Sequence, residues 1–185
     1  MTAMNDPRLA AQVMAEQCLC FRSRWIARAL TRLYDEALRP LRLQATQLTL
    51  LNAISVLGRQ DGGGRETVER TDGGVQHDAA AAPGVPMNRL SEILALDPTT
   101  LSRNLRRLER DGLIRISPAP DDRRVKLVSL TPKGEQRIAE AFPLWTGAQQ
   151  RLAEALGPEL TASLLDDFEA VMAADPLDPA HPGSH

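Results

Sequence analysis

The run Asp97-Pro98-Thr99-Thr100-Leu101-Ser102-Arg103-Asn104-Leu105-Arg106-Arg107-Leu108-Glu109-Arg110-Asp111-Gly112-Leu113 decides how this chain folds. Leu101, Leu105 and Leu108 recur at helical spacing and define one apolar stripe. Asp97 can cap free amides at the start of the helix, and Pro98 fills the first position, where no amide is needed. Gly112 stands where a glycine ends a helix in a left-handed turn. The opposite face carries Thr99, Thr100, Ser102, Arg103, Asn104, Arg106 and Arg107. Small hydroxyls followed by guanidinium and amide groups suit phosphate oxygens and base edges in a DNA major groove. Taken alone, such a face is equally a solvated surface, and the flanking segments must separate the two readings.

On the N-terminal side, Asn88–Leu94 reads as a short helix with Leu90, Ile93 and Leu94 inward. Ala95-Leu96-Asp97 is a tight connection, so the pair forms a helix-turn-helix whose second helix has a polar outer face. On the C-terminal side the period changes. Leu113, Ile114 and Ile116 read as a strand, Ser117–Asp122 with Pro118 and Pro120 as a turn, and Val125, Leu127, Val128 and Leu130 as the returning strand. The tip carries Asp121, Asp122, Arg123 and Arg124, with Lys126 just after. A basic ribbon tip of this kind can reach the DNA backbone or the adjacent minor groove.

Further out the chain is helical. Residues 1–8 are expected to be flexible. From Leu9 to Leu38 the pattern predicts one long helix or two, with Val13, Leu19, Phe21, Trp25, Ile26, Ala29, Leu30 and Leu33 on an apolar face too wide for one small core. Residues 9–45 are therefore assigned to dimerisation. Thr46–Leu57 is a further helix with Thr46 as its cap, and it opens a winged helix-turn-helix unit over 46–132. Within that unit, 58–85 is rich in glycine and alanine and nearly devoid of large apolar side chains, as in a flexible insertion. Thr131 and Pro132 repeat the cap-then-proline signal. Ile138, Phe142, Trp145, Leu152 and Leu156 continue as a helix that Pro143 should kink or divide. Gly157-Pro158 stops it, and Leu160, Leu164, Leu165, Phe168, Val171 and Met172 mark a last helix. Residues 133–173 are assigned to C-terminal dimerisation helices and 174–185 to a disordered tail. The expected fold is mainly α with a small β wing: a winged helix-turn-helix plus long terminal dimerisation helices.

Composition sets outer bounds. With 185 residues, 43% hydrophobic and 25% charged, the chain is of globular type. No apolar run approaches the ~20 residues of a membrane span, and no basic region followed by an apolar core opens the sequence. The expectation is a cytoplasmic protein with no membrane partner. Net charge is −2, but the distribution is uneven. Between Arg103 and Lys133 nine basic residues face four acidic ones, a local surplus of five positive charges. Beyond Glu135 acids dominate.

Chemistry beyond binding finds little support. Cys18 and Cys20, if both helical, point about 200° apart and are badly placed to bridge. The histidines, His77, His181 and His185, lie in segments without a ligand cluster, so no metal and no cofactor is expected. There is no nucleophile–histidine–acid set, paired carboxylate motif or phosphate-binding glycine loop, and an enzyme is not expected.

Three groups of residues together resemble the MarR family of bacterial transcription regulators. They are Leu96-Asp97-Pro98-Thr99-Thr100-Leu101-Ser102-Arg103-Asn104-Leu105, Leu108-Glu109-Arg110-Asp111-Gly112-Leu113-Ile114, and Asp122-Arg123-Arg124 followed by Leu130-Thr131-Pro132-Lys133-Gly134. The resemblance implies a homodimer with interleaved terminal helices, presenting two winged helices to a pseudo-palindromic operator in double-stranded DNA. It implies that Asp122 supports the wing while Arg124 sits at the minor groove. The segment 58–85 is far longer than the family's usual link.

The expected DNA-binding set is therefore Thr99, Thr100, Ser102, Arg103, Asn104, Arg106, Arg107, Arg123, Arg124 and Lys126. The function so implied is a repressor relieved by a small-molecule effector or by thiol oxidation. A winged-helix protein-interaction module without DNA binding is the alternative. Leu19-Cys20-Phe21, with Tyr34 fourteen residues after Cys20, is similar to the sensing cysteine and partner tyrosine of the family's organic-hydroperoxide branch. The other reading of Cys20 is a small apolar side chain in a helix core. Trp25, Ala29, Thr46 and Leu50 are the candidates for an effector pocket between the dimer helices and the winged helix, or for ordinary core.

Overall fold

A computed structural model describes residues 6–61 and 84–173. Seven α-helices and three short strands follow in the order α1 (Pro7–Gln17), α2 (Leu19–Leu38), α3 (Ala45–Asp61), β1 (Val85–Pro86), α4 (Met87–Ile93), α5 (Pro98–Arg110), β2 (Ile114–Pro118), β3 (Lys126–Leu130), α6 (Pro132–Leu156) and α7 (Pro158–Ala173), with a 3-10 turn at Arg39–Leu41 between α2 and α3. The mainly α fold with a small β wing is as expected.

One sequence device opens three of these helices: an acceptor side chain, then proline. Asp6 accepts from the Arg8 amide at 2.8 Å ahead of Pro7. Asp97 accepts from the amides of Thr99 and Thr100 at 3.1 and 2.9 Å ahead of Pro98. Thr131 accepts from the Gly134 amide at 3.1 Å ahead of Pro132. The first case corrects the expectation that 1–8 is flexible throughout, because Pro7 and Arg8 already belong to a capped helix.

The N-terminal helical run breaks at Cys18, whose backbone is extended and whose Sγ accepts from the Phe21 amide at 3.4 Å. Cys18 and Cys20 thus do not share one helix, and the 200° argument against their bridging does not hold. Thr46 is not a cap. The α3 helix starts one residue earlier, at Ala45, whose amide donates to Asp35 Oδ1 of α2 at 2.6 Å. Gln47, buried, turns its side-chain oxygen back onto the Gln44 amide at 2.9 Å.

The sheet is antiparallel in the order β1-β3-β2, one strand more than the sequence predicts. Val85 pairs with Val128, and both are fully buried. Both edges of the expected insertion are therefore structured: α3 runs on to Asp61, and Gly84 to Pro86 lie against or within the sheet. The remainder of that insertion, the expected tail and the three histidines lie outside the described residues.

Pro143 does not divide α6, which is one helix of 25 residues. A proline ring deprives the Ala139 carbonyl of its helical partner, but both residues are exposed, where water can serve. Leu90 is buried as expected, whereas Ile93 is 53% exposed.

The core gathers Leu48, Leu51 and Ile54 of α3, Leu90 of α4, Leu101, Leu105 and Leu108 of α5, and Ile114 and Val128 of the sheet. The terminal helices contribute little to it. Among the described residues no helix is long and apolar enough to cross a membrane, and no group of three or more His, Cys, Asp or Glu is placed to hold a metal ion.

Candidate nucleic-acid interface

The α5 helix divides cleanly. Leu101, Leu105 and Leu108 are at most 1% exposed, while Thr99, Arg103, Arg106 and Arg107 are exposed and Thr100, Ser102 and Asn104 half-buried. The 4-residue connection from α4 is held by the Ser91 hydroxyl on the Leu96 carbonyl at 2.5 Å and by Ala95 in a left-handed conformation, φ 47°. Hydrogen bonds donated by Thr100, first from its hydroxyl and then from its amide, hold the Asp97 carboxyl below the usual carboxylate range. Arg107 leans toward the segment just before α3, where Nη1 lies 3.4 Å from Gln44 Oε1.

The wing follows in strict register, from Ile114 opposite Leu130 to Pro118 opposite Lys126. Its tip is shaped by Asp122, whose carboxylate accepts from the Arg124 amide at 2.9 Å and whose carbonyl accepts from the Val125 amide at 3.0 Å. Such a local turn fixes the backbone from which Arg123 and Arg124, both exposed, project. Lys126 is exposed at the start of β3.

Contacts between elements, which no local pattern announces, position the helix and the wing. Glu109, on the last turn of α5, accepts from the Ile116 amide of β2 at 3.1 Å, so one carboxylate ties the polar helix to the wing. Thr131 does the same from the other side. Its hydroxyl donates to the Gly112 carbonyl at 2.7 Å while accepting from Gly134, and Lys133 Nζ donates to the Asp111 carbonyl at 2.7 Å. A Cβ on Gly134 would lie 2.0 Å from the Leu113 carbonyl oxygen, so only glycine lets α6 seat this closely.

The remaining candidates do not converge on one place. Trp25 and Ala29 line a cleft of about 360 Å³ between α2, α6 and α7, where Tyr34 and Gln149 also meet. Thr46 and Leu50 do not line it: Thr46 is exposed on α3, and Leu50, 1% exposed, belongs to the buried core. Cys20 is exposed. Tyr34 donates its hydroxyl to Gln149 at 2.8 Å, and partial burial raises its pKa. Fourteen residues of helix separate Cys20 from Tyr34, about 21 Å, so the two do not meet within one chain.

A helix-turn-helix with a bracketed wing, set among long terminal helices, defines the winged-helix class. A family model described as MarR family matches residues 80–125. The transcriptional regulator MosR of M. tuberculosis, solved in complex with DNA, is 30% identical, with 86% of this chain and 99% of MosR covered and a TM-score of 0.61. A mutant MarR of E. coli complexed with operator DNA is 22% identical, covering 86% and 96%, with a TM-score of 0.66. The MepR–DNA complex of S. aureus is 19% identical, covering 84% and 97%, with a TM-score of 0.62. No curated protein matches the sequence significantly. The chain belongs to the MarR family and is a transcription regulator, not an enzyme.

Proposed function

We propose that the protein is a homodimeric, sequence-specific DNA-binding repressor, released by a small-molecule effector or by thiol oxidation. The observation that carries DNA binding is the division of α5, which buries its leucines and leaves Arg103 and Arg106 exposed beside a hairpin with an arginine tip. The solved DNA complexes of MosR, MarR and MepR support it. Thr99, Thr100, Ser102, Arg103, Asn104, Arg106 and Arg107 enter the major groove, while Arg123, Arg124 and Lys126 hold the backbone or minor groove.

Dimerisation is supported by apolar surface that one chain leaves uncovered. Leu19 is 83% exposed, Trp25 63%, Phe142 64% and Leu165 62%, all on terminal helices. Burying apolar area yields about 25 cal/mol per Å², and a second copy offers matching apolar faces. The cleft lined by Trp25 and Ala29 is the place for an apolar effector, and Cys20 is open to an oxidant.

The test is an electrophoretic shift with the protein's own upstream region, paired with sedimentation. A dimer that shifts this DNA and ignores an unrelated duplex is expected. A monomer, or equal affinity for both duplexes, overturns the reading.

A further inference from the structure

A second cleft, of about 530 Å³, opens where the α2–α3 connection meets the end of α5 and the first turns of α6. Four cations line it: Arg42, Arg110, Lys133 and Arg137, against the single acid Asp111. They come from three separate elements, so the cluster is a product of the fold and not of one charged run. Their hydrogen-bonding capacity is mostly unspent. Lys133 gives one bond to the Asp111 carbonyl and Arg137 one to the Leu41 carbonyl. Arg137 is partly committed, its Nε forming an ion pair with Glu140 Oε2 at 3.2 Å, so the free capacity lies with Arg42, Arg110 and Lys133. Arg42 stands in the left-handed conformation, φ 54°, where glycine is the easier occupant.

We propose that this cleft binds a small oxyanion, a carboxylate or phosphate group, between the guanidiniums of Arg42 and Arg110 and the ammonium of Lys133. Planar guanidiniums match such groups through paired hydrogen bonds. The DNA backbone is the other polyanion to weigh, and the geometry disfavours it. Arg110 lies eleven residues along α5 from Thr99, about 16 Å, and β2 carries the wing tip about as far from Leu113. The cleft thus sits at the C-terminal end of α5, one turn beyond Arg107 and away from Thr99 and the wing tip.

The experiment titrates the full-length free protein with citrate and, separately, with pyrophosphate, at constant ionic strength set by sodium chloride, following thermal unfolding and heat of binding. A saturable rise in Tm with either probe is expected, and the stronger probe distinguishes carboxylate from phosphate. Arg42→Gln with Arg110→Gln should weaken that binding at least tenfold while far-UV circular dichroism stays unchanged. Both side chains are exposed, and the single Arg110→Gln serves if the pair does not fold. Non-saturable or variant-insensitive stabilisation means an adventitious ion only and overturns the proposal. So does a loss of DNA affinity in the variant when the wild type binds neither probe, which would make the cleft a DNA contact. Because anion binding is read without DNA, its failure is distinguishable from failure of the DNA-binding reading.

Discussion

Glu109 Oε1 lies 3.1 Å from the amide nitrogen of Ile116. Ile116 sits on β2, an edge strand of the sheet, and this hydrogen bond occupies an amide that its ladder partner does not. The carboxylate thereby fixes the angle between the polar helix and the wing.

Glu109→Ala should release that angle. A hydrogen bond of this kind is worth about 1 kcal/mol net, so global stability falls modestly. Amide hydrogen exchange is the sharper readout: Ile116 should exchange faster in the variant, while Val128, on the central strand, keeps its protection. Unchanged exchange at Ile116 would remove Glu109 from this role.

Gly134→Ala should be net destabilising, by up to about 2 kcal/mol, despite a better helix former at that position. Helix propensity favours alanine by about 1 kcal/mol. The new Cβ, however, meets a backbone carbonyl 2.0 Å away, and overpacking against an immovable group costs about 1–3 kcal/mol. The clash wins, and thermal unfolding of Gly134→Ala should show a lower Tm than the wild type.

The Asp97 carboxyl carries a pH signature. Its pKa is lowered from a usual value of 3.8 by hydrogen bonds from Thr100, so the folded state prefers the ionised form. The stability it contributes is fully present above the unfolded pKa and fades as pH falls through the lower folded value. Asp97→Asn keeps a good cap and removes the titration. Chemical denaturation in the acid range should show a shallower pH dependence for the variant, and parallel curves would refute the assignment.

Arg124 and Arg103 should fail in different ways. On the proposed reading, Arg124→Ala should remove a backbone or minor-groove contact, so that affinity falls on every sequence and the salt slope drops by about one. Arg103→Ala should relax preference at one operator position, costing about 1–3 kcal/mol there. Salt titrations and an operator-variant panel separate the two, and an unaltered pattern in either case dismisses that residue.

Much of this architecture is legible because it is local. The cap-then-proline pairs, the leucine stripe of α5 and the alternation in the hairpin each act within a few residues. The misreadings fall where a distant partner decides. Asp35 caps α3 from ten residues away, and nothing local to Thr46 reveals it. Val85 becomes a strand only because Val128 is there to pair with it, and two prolines and a glycine around it read as loop. Glu109 looks like one more surface charge until β2 arrives beside it. The break at Cys18 has a subtler cause: no proline or glycine announces it, and a thiol serves as the cap.

The single-piece character of α6 has a mechanical consequence. The helix spans about 37 Å and is bolted at its base to Gly112, Asp111 and Leu113. In a two-fold assembly such a rod acts as a lever. A slight tilt imposed at its far end, beside α7, swings the opposite end through a comparable arc and shifts the spacing of the two reading heads. In the proposed dimer, loosening the grip on DNA would then require no unfolding and no hinge inside the winged helix, only a change in the splay of the two α6 rods.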